Sequence, residues 1–105
     1  MTSPSSSGAL EAVERILNRG GEANEVLQEV VDALNTRAAA WVGIAFVDEE
    51  RLELGPSAGG AKPVAYQRHP VDWKGETIAE LWTSTDADPA LFSRVAVIVS
   101  PYCLR

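Results

Sequence analysis

Residues 41–60 read WVGIAFVDEERLELGPSAGG, and the architecture of the chain turns on them. WVGIAFV (41–47) is β-branched and aromatic, and RLELG (51–55) alternates polar with apolar residues, so both are strand-like. DEE (48–50) is a short polar turn between them. The first strand is apolar on both faces, which places it in the middle of a sheet covered on both sides. PSAGGAKP (56–63) is a loop by composition. It has glycines but no Lys-Ser/Thr ending and no following helix, so it is not a phosphate-binding loop.

Upstream of the hairpin the period is helical. Leu10, Val13, Ile16 and Leu17 recur at helical spacing, with Glu11, Glu14 and Arg15 between them. This predicts a helix from Ala9 to Arg19, capped by Ser7 and stopped at Gly20-Gly21. A second helix is predicted over residues 22–39, with Val26, Leu27, Val30, Val31, Leu34 and Ala38 on its apolar face. Glu22, Glu25 and Glu29 crowd its first half, where negative charge favours the helix dipole. TSPSSSG before the first helix reads as a disordered leader, so residues 1–8 are set apart from a single domain over 9–105.

Downstream, Lys74-Gly75 is a natural two-residue turn between strand-like runs. That turn predicts a register in which Trp73 faces Glu76, Val71 faces Ile78, His69 faces Glu80 and Gln67 faces Trp82. Pro70 lacks a ladder donor and needs an edge or an irregularity. VAVIV (95–99) alone resembles a buried strand. However, Asp88-Pro89 is a cap followed by proline at the first helical position. Leu91, Phe92, Val95, Ile98, Val99 and Tyr102 also fall at spacings of three and four, so a helix is expected, ended or kinked at Ser100-Pro101. The order helix, helix, hairpin, loop, hairpin, helix makes an α+β fold, a four-stranded antiparallel sheet with helices on one side.

The bulk numbers narrow the function. The chain has 105 residues, 46% hydrophobic and 23% charged, which suits one soluble globular domain. Nine basic against fifteen acidic residues give a net charge of -6. No basic stripe is present, so neither nucleic acid nor an anionic membrane is an expected partner. No apolar run approaches the roughly 20 residues a membrane helix needs. No secretory signal is visible, and a cytoplasmic setting is the expectation. Cys103 is the one cysteine, so there is neither an internal disulfide nor a CxxC metal knuckle. Asp48, Glu49, Glu50, Asp86 and Asp88 lack the spacing of a calcium loop. No metal or cofactor is expected.

The chain resembles the GAF domain, a small-molecule sensing module of signalling proteins and some enzymes. The resemblance lies in AAAWVGIAFVDEERLELG, HPVDWKGETIAELWTS and DPALFSRVAVIVSPY, and it covers residues 10–104. It implies a GAF/profilin-like sheet packed on N- and C-terminal helices. GAF domains usually carry a strand, helices and long loops between the two hairpins, which roof the ligand pocket. Here only residues 56–63 stand there, so the resemblance is to a GAF-like core with a shortened central segment. A roofless apolar face must be covered by a second copy, a partner protein or the chain's own loop.

The GAF-type free methionine-(R)-sulfoxide reductases resemble the chain in WVGIAFV, but they work with cysteines of the central segment. This chain has none there, and thiol-disulfide turnover needs a resolving partner. The expected function is therefore a non-enzymatic sensory or protein-interaction module, homodimeric through its terminal helices. Leu10, Val13, Leu17, Val95, Val99 and Tyr102 are the candidate contacts. The alternative is a small-molecule sensor on the concave sheet face, with Tyr66, Arg68, His69, Glu80 and Trp82 as ligand contacts. His69 opposite Glu80 would make either an oriented base or a plain cross-strand charge pair. A reductase-like enzyme using Cys103 is the third reading. The three tryptophans are expected in core or interface packing. Trp41 and Trp82 share one sheet region if the first and last strands are neighbours.

Overall fold

The computed structural model of this protein describes residues 4–104, with side chains from residue 8. Residues 1–3 of the expected leader lie outside the described residues. In chain order the elements are α1 (Pro4–Arg19), α2 (Ala23–Arg37), β1 (Val42–Asp48), β2 (Arg51–Ala58), β3 (Gln67–Trp73), β4 (Glu76–Thr83) and α3 (Pro89–Val99). A short 3-10 helix, Ser100–Cys103, follows α3. The predicted order holds, and so does the α+β class. Helix α1 begins at Pro4 rather than Ala9, so Ser7 lies within it rather than capping it. It stops where expected, at Gly20, whose φ of 73° is left-handed and whose N–H bonds the Ile16 carbonyl at 3.2 Å.

Each boundary has a local cause. Glu22 caps α2 by accepting from the Glu25 N–H at 3.0 Å. Asp88 caps α3 by accepting from the Ala90 N–H at 3.0 Å, and Pro89 takes the first helical position. Cap and period thus outweigh the strand propensity of VAVIV, because Leu91, Phe92, Val95, Ala96 and Val99 are buried along one stripe of the helix. The β1–β2 turn is only Glu49-Glu50, both left-handed at φ 48° and 69°. Strand β2 runs on to Ala58, through the start of the expected loop. Pro56 is tolerated there because the register shifts between Gly43 and Ala45, and because β2 is an edge strand.

The sheet order is β2-β1-β4-β3, all antiparallel, so β1 and β4 are the central pair. In the second hairpin Trp73 pairs Glu76 as predicted, but a bulge between Val71 and Asp72 displaces every pair beyond it. Val71 faces Ala79 rather than Ile78, His69 faces Leu81 rather than Glu80, and Gln67 faces Thr83 rather than Trp82. A slip of one residue inverts the face of each side chain. His69 is thereby carried to the helix side of the sheet.

The main core lies between that side and the three helices. Val42, Ile44, Val71, Ala79 and Leu81 of the sheet meet Val13, Leu27, Leu34, Phe92 and Val95 of the helices. Helix α2 lies against β1 and β2, α3 against β3, and α1 packs on α2 and α3. The six expected dimer contacts lie in or against this core. Val13, Val95 and Val99 are 0% exposed, and Leu10, Leu17 and Tyr102 pack against the same cluster. The Tyr102 hydroxyl donates to the Leu17 carbonyl at 3.1 Å, tying the chain's last turn to its first helix. Val97 of α3, 71% exposed, and Leu104 after it, 46% exposed, are apolar side chains left outside this packing.

Candidate functional site

The opposite face of the sheet carries a second, smaller cluster of Trp41, Ala45 and Trp82, with Leu52 and Tyr66 against it. Trp41 and Trp82 meet here because β1 and β4 are neighbours, with Gly43 across from Trp82. The Trp41 ring lies over Gly43, where a Cβ would stand 2.7 Å from the indole and 2.9 Å from Leu54. Its Nε1 donates to the Gly60 carbonyl at 3.1 Å, so the loop after β2 folds back over this end of the face. Of the three ways to cover the sheet, the chain's own loop takes this part.

Four of the five predicted ligand contacts come together on this face. Arg68 stands across from Trp82 in the ladder, with Glu80 two residues before Trp82 on the same side. The Arg68 guanidinium grips Glu80 with both forks, Nε to Oε1 at 2.6 Å and Nη2 to Oε2 at 2.9 Å. Trp82 Nε1 donates to the same Glu80 Oε1 at 2.8 Å. The Tyr66 ring tilts against Trp82 at 4.9 Å, and Lys62 Nζ sits 4.1 Å from the Tyr66 ring centre. The Arg68 hydrogen bond holds the Glu80 carboxyl below its usual 4.5 against the opposing effect of burial, with Trp82 assisting. Glu80 in turn raises Arg68 above its usual value. A carboxylate this engaged is a structural anion rather than a base awaiting a proton.

His69, the fifth, is elsewhere. It is buried on the helix side, its ring 5.9 Å from that of Phe92 and its Nε2 3.4 Å from Thr83 Oγ1. Burial lowers its pKa from 6.5. Cys103 is also sealed in the helix-side core, at 0% exposure. The two residue types best suited to nucleophilic or proton-transfer chemistry are thus withdrawn from the open face. The open face itself offers aromatic rings that stack and charges that pair.

Two features escaped the sequence reading. Lys62 belongs to the stack, but only the path of the loop brings it there. Ser84 and Asp86 clamp the entry of β1 to the exit of β4. Trp41 N–H donates to Ser84 Oγ at 3.0 Å, the Ala40 N–H to Asp86 Oδ2 at 3.2 Å, and the Ser84 hydroxyl to Asp86 Oδ1. These bonds, the Ser84 hydroxyl first, keep the Asp86 carboxyl below 3.8. A Ser-x-Asp pair after a strand is the local signal, since both side chains favour backbone bonding at turns. Among the described residues no three His, Cys, Asp or Glu gather to hold a metal, and no helix is long and apolar enough to cross a membrane.

No protein-family model and no curated protein matches the chain. A solved structure, that of the type II free methionine-R-sulfoxide reductase from Thermoplasma acidophilum, is similar to it with a TM-score of 0.65 and 16% sequence identity. The match covers 77% of this chain and 92% of that one. At such identity the likeness is one of backbone arrangement. The fold is therefore consistent with a GAF-like one, α+β with the helices on one side of a four-stranded antiparallel sheet.

Proposed function

We propose that this chain is a non-enzymatic GAF-like interaction module that works as a homodimer through its sheet rather than its helices. One observation carries the reading: His69 and Cys103 are sealed in the helix-side core, while the other face offers apolar side chains and charges already paired. A sulfoxide reductase needs a thiolate that its substrate can reach, and a thiol at 0% exposure is poorly placed to be one. Val47 and Leu54, 39% and 43% exposed, extend the apolar surface toward β2 and give a partner something to bury. Light scattering across a micromolar-to-millimolar series tests the reading. An apparent mass that climbs toward two chains supports it, and a constant single-chain mass overturns it.

A second reading has one specific observation in its favour, the assembly of Lys62, Tyr66, Arg68, Glu80 and Trp82 on one face. It makes that face a small-molecule sensor site, in which a ligand would displace Lys62 from the aromatic pair. A thermal-shift screen against nucleotides, amino acids and oxidised sulfur compounds decides it. Stabilisation that disappears in Arg68→Ala supports this reading, and no shift with any class removes it.

A further inference from the structure

Strand β2 is an edge of the sheet, and only half of that edge is closed. Toward its end Pro56 has no N–H to offer, and Gln28 Nε2 of α2 already bonds the Ser57 carbonyl at 3.1 Å. Among the described residues no side chain is seen bonding the outer backbone of residues 51–55 in this way. An open groove of about 530 Å³ lies beside them, lined by Asn24, Phe46, Glu53, Leu54, Gly55 and Pro56. Asp48 and Arg51 pair across the two-residue turn, and Leu52 and Leu54 pair with Val47 and Ala45. In an antiparallel ladder the pair that closes such a turn is hydrogen-bonded, and bonded and non-bonded pairs then alternate. The N–H and C=O groups of Leu52 and Leu54 therefore point outward, unclaimed by β1. The other edge, β3, is interrupted by Pro70 at mid-strand.

The occupant follows from charge. Arg51 and Glu53 are exposed on one face of β2, and among the described residues neither has an ion-pair partner. A second copy adding antiparallel to this edge is related by a two-fold axis normal to the sheet, so the same faces continue across the junction. Four centres are available. Centring on Arg51 sets Arg51 against Arg51, and centring on Glu53 sets Glu53 against Glu53. Centring on Leu54 sets Leu52 against Pro56, and Arg51 against Ser57, where Gln28 intrudes. Centring on Leu52 alone sets each Arg51 against the partner's Glu53, twice, in a non-bonded pair where side chains stand closest. It also brings Leu52, Leu54 and Val47 of both copies into one apolar strip on the open face.

Resting on the homodimer reading above, we propose that a second copy of this chain docks along residues 51–55 of β2, antiparallel and centred on Leu52. This joins two four-stranded sheets into one of eight strands. The interface is small, so the dimer is weak and concentration-dependent.

Arg51→Glu and Glu53→Arg test the register, with light scattering as the readout on the whole chain. Both positions are exposed, so circular dichroism and melting temperature stay at wild-type values. Each variant alone sets like charges opposite one another and weakens dimerisation by about tenfold. Mixed one to one, they regain it as a heterodimer, because the Arg51→Glu chain is acidic at both positions and the Glu53→Arg chain basic at both, so opposite charges meet at each pair. A wild-type dimer insensitive to either change overturns the edge and leaves the homodimer reading standing. Variants that weaken singly but fail to recover on mixing overturn the register. A wild type that is monomeric throughout removes both.

Discussion

Gly59 lets the loop after β2 turn back onto the sheet. Its φ of +106° is one that other residues adopt only under strain, and a Cβ there would stand 2.3 Å from the Ala40 carbonyl oxygen. The Asn35 amide braces the same spot, donating to the Ala39 and Ala40 carbonyls at 3.1 and 2.9 Å. Gly59→Ala is expected to cost at least about 1–2 kcal/mol, from the backbone strain alone. It should also release Gly60 from Trp41 Nε1 and shift the indole emission to the red. Chemical denaturation and fluorescence check both, and an unchanged midpoint with unchanged emission would contradict the assigned role. Gly59 looks in sequence like any residue of a flexible glycine pair. What sets it apart is a backbone carbonyl many residues away, so its importance was not legible. The Asp88 cap and the Gly20 stop were legible, because their partners lie within one helical turn.

Among the elements, the two hairpins show how turn chemistry and strand length trade control. Both turns are two residues long and left-handed throughout, Glu49-Glu50 in the first and Lys74-Gly75 in the second. Such turns favour Asn-Gly, and Lys74-Gly75 comes close while Glu49-Glu50 does not. Three adjacent acids, Asp48 to Glu50, add repulsion. Glu49→Asn with Glu50→Gly is therefore expected to stabilise the fold by about 1 kcal/mol, read as a rise in melting temperature. A fall or no change would mean that the turn is not left-handed in solution. The register next to a good turn can be read forward only until a bulge intervenes. Trp73 opposite Glu76 was legible, whereas the extra residue at Ile78 was not, because it answers to packing on both faces. That single residue moved His69 from the predicted site into the core and left Arg68 to take Glu80.

Across the molecule, burial and pairing set how stability depends on pH. His69 is neutral in the folded state with its pKa below 6.5, so the unfolded chain binds the proton more readily. Stability is then full above that value and falls as pH drops through 6.5 toward the folded value. Glu80 and Asp86 have folded values below 4.5 and 3.8, so their contribution is present above those values and is lost on further acidification. The melting temperature should be level near neutrality and above, decline below pH 6.5 and decline again below pH 4.5. His69→Gln removes the first decline and keeps the second. A variant that still loses stability between neutrality and pH 5 would show that His69 is not buried neutral. The protein has one histidine, so no other side chain of that type shares this window.

The order of amino acids was enough to establish the α+β class, the succession of elements, the cap of α3, the Lys74-Gly75 turn and the central position of β1. All of these rest on periodicity or on partners within a few residues, where side-chain chemistry acts locally. It also brought Tyr66, Arg68, Glu80 and Trp82 onto a common candidate list. That these four share a face, and that His69 does not, was settled by the folded arrangement alone. So was the burial of the terminal helices' stripes within one chain, and the closing of the loop over Trp41. Each of those outcomes hangs on a bulge, a crossing or a carbonyl contributed from far along the chain, where packing against distant residues outweighs local preference.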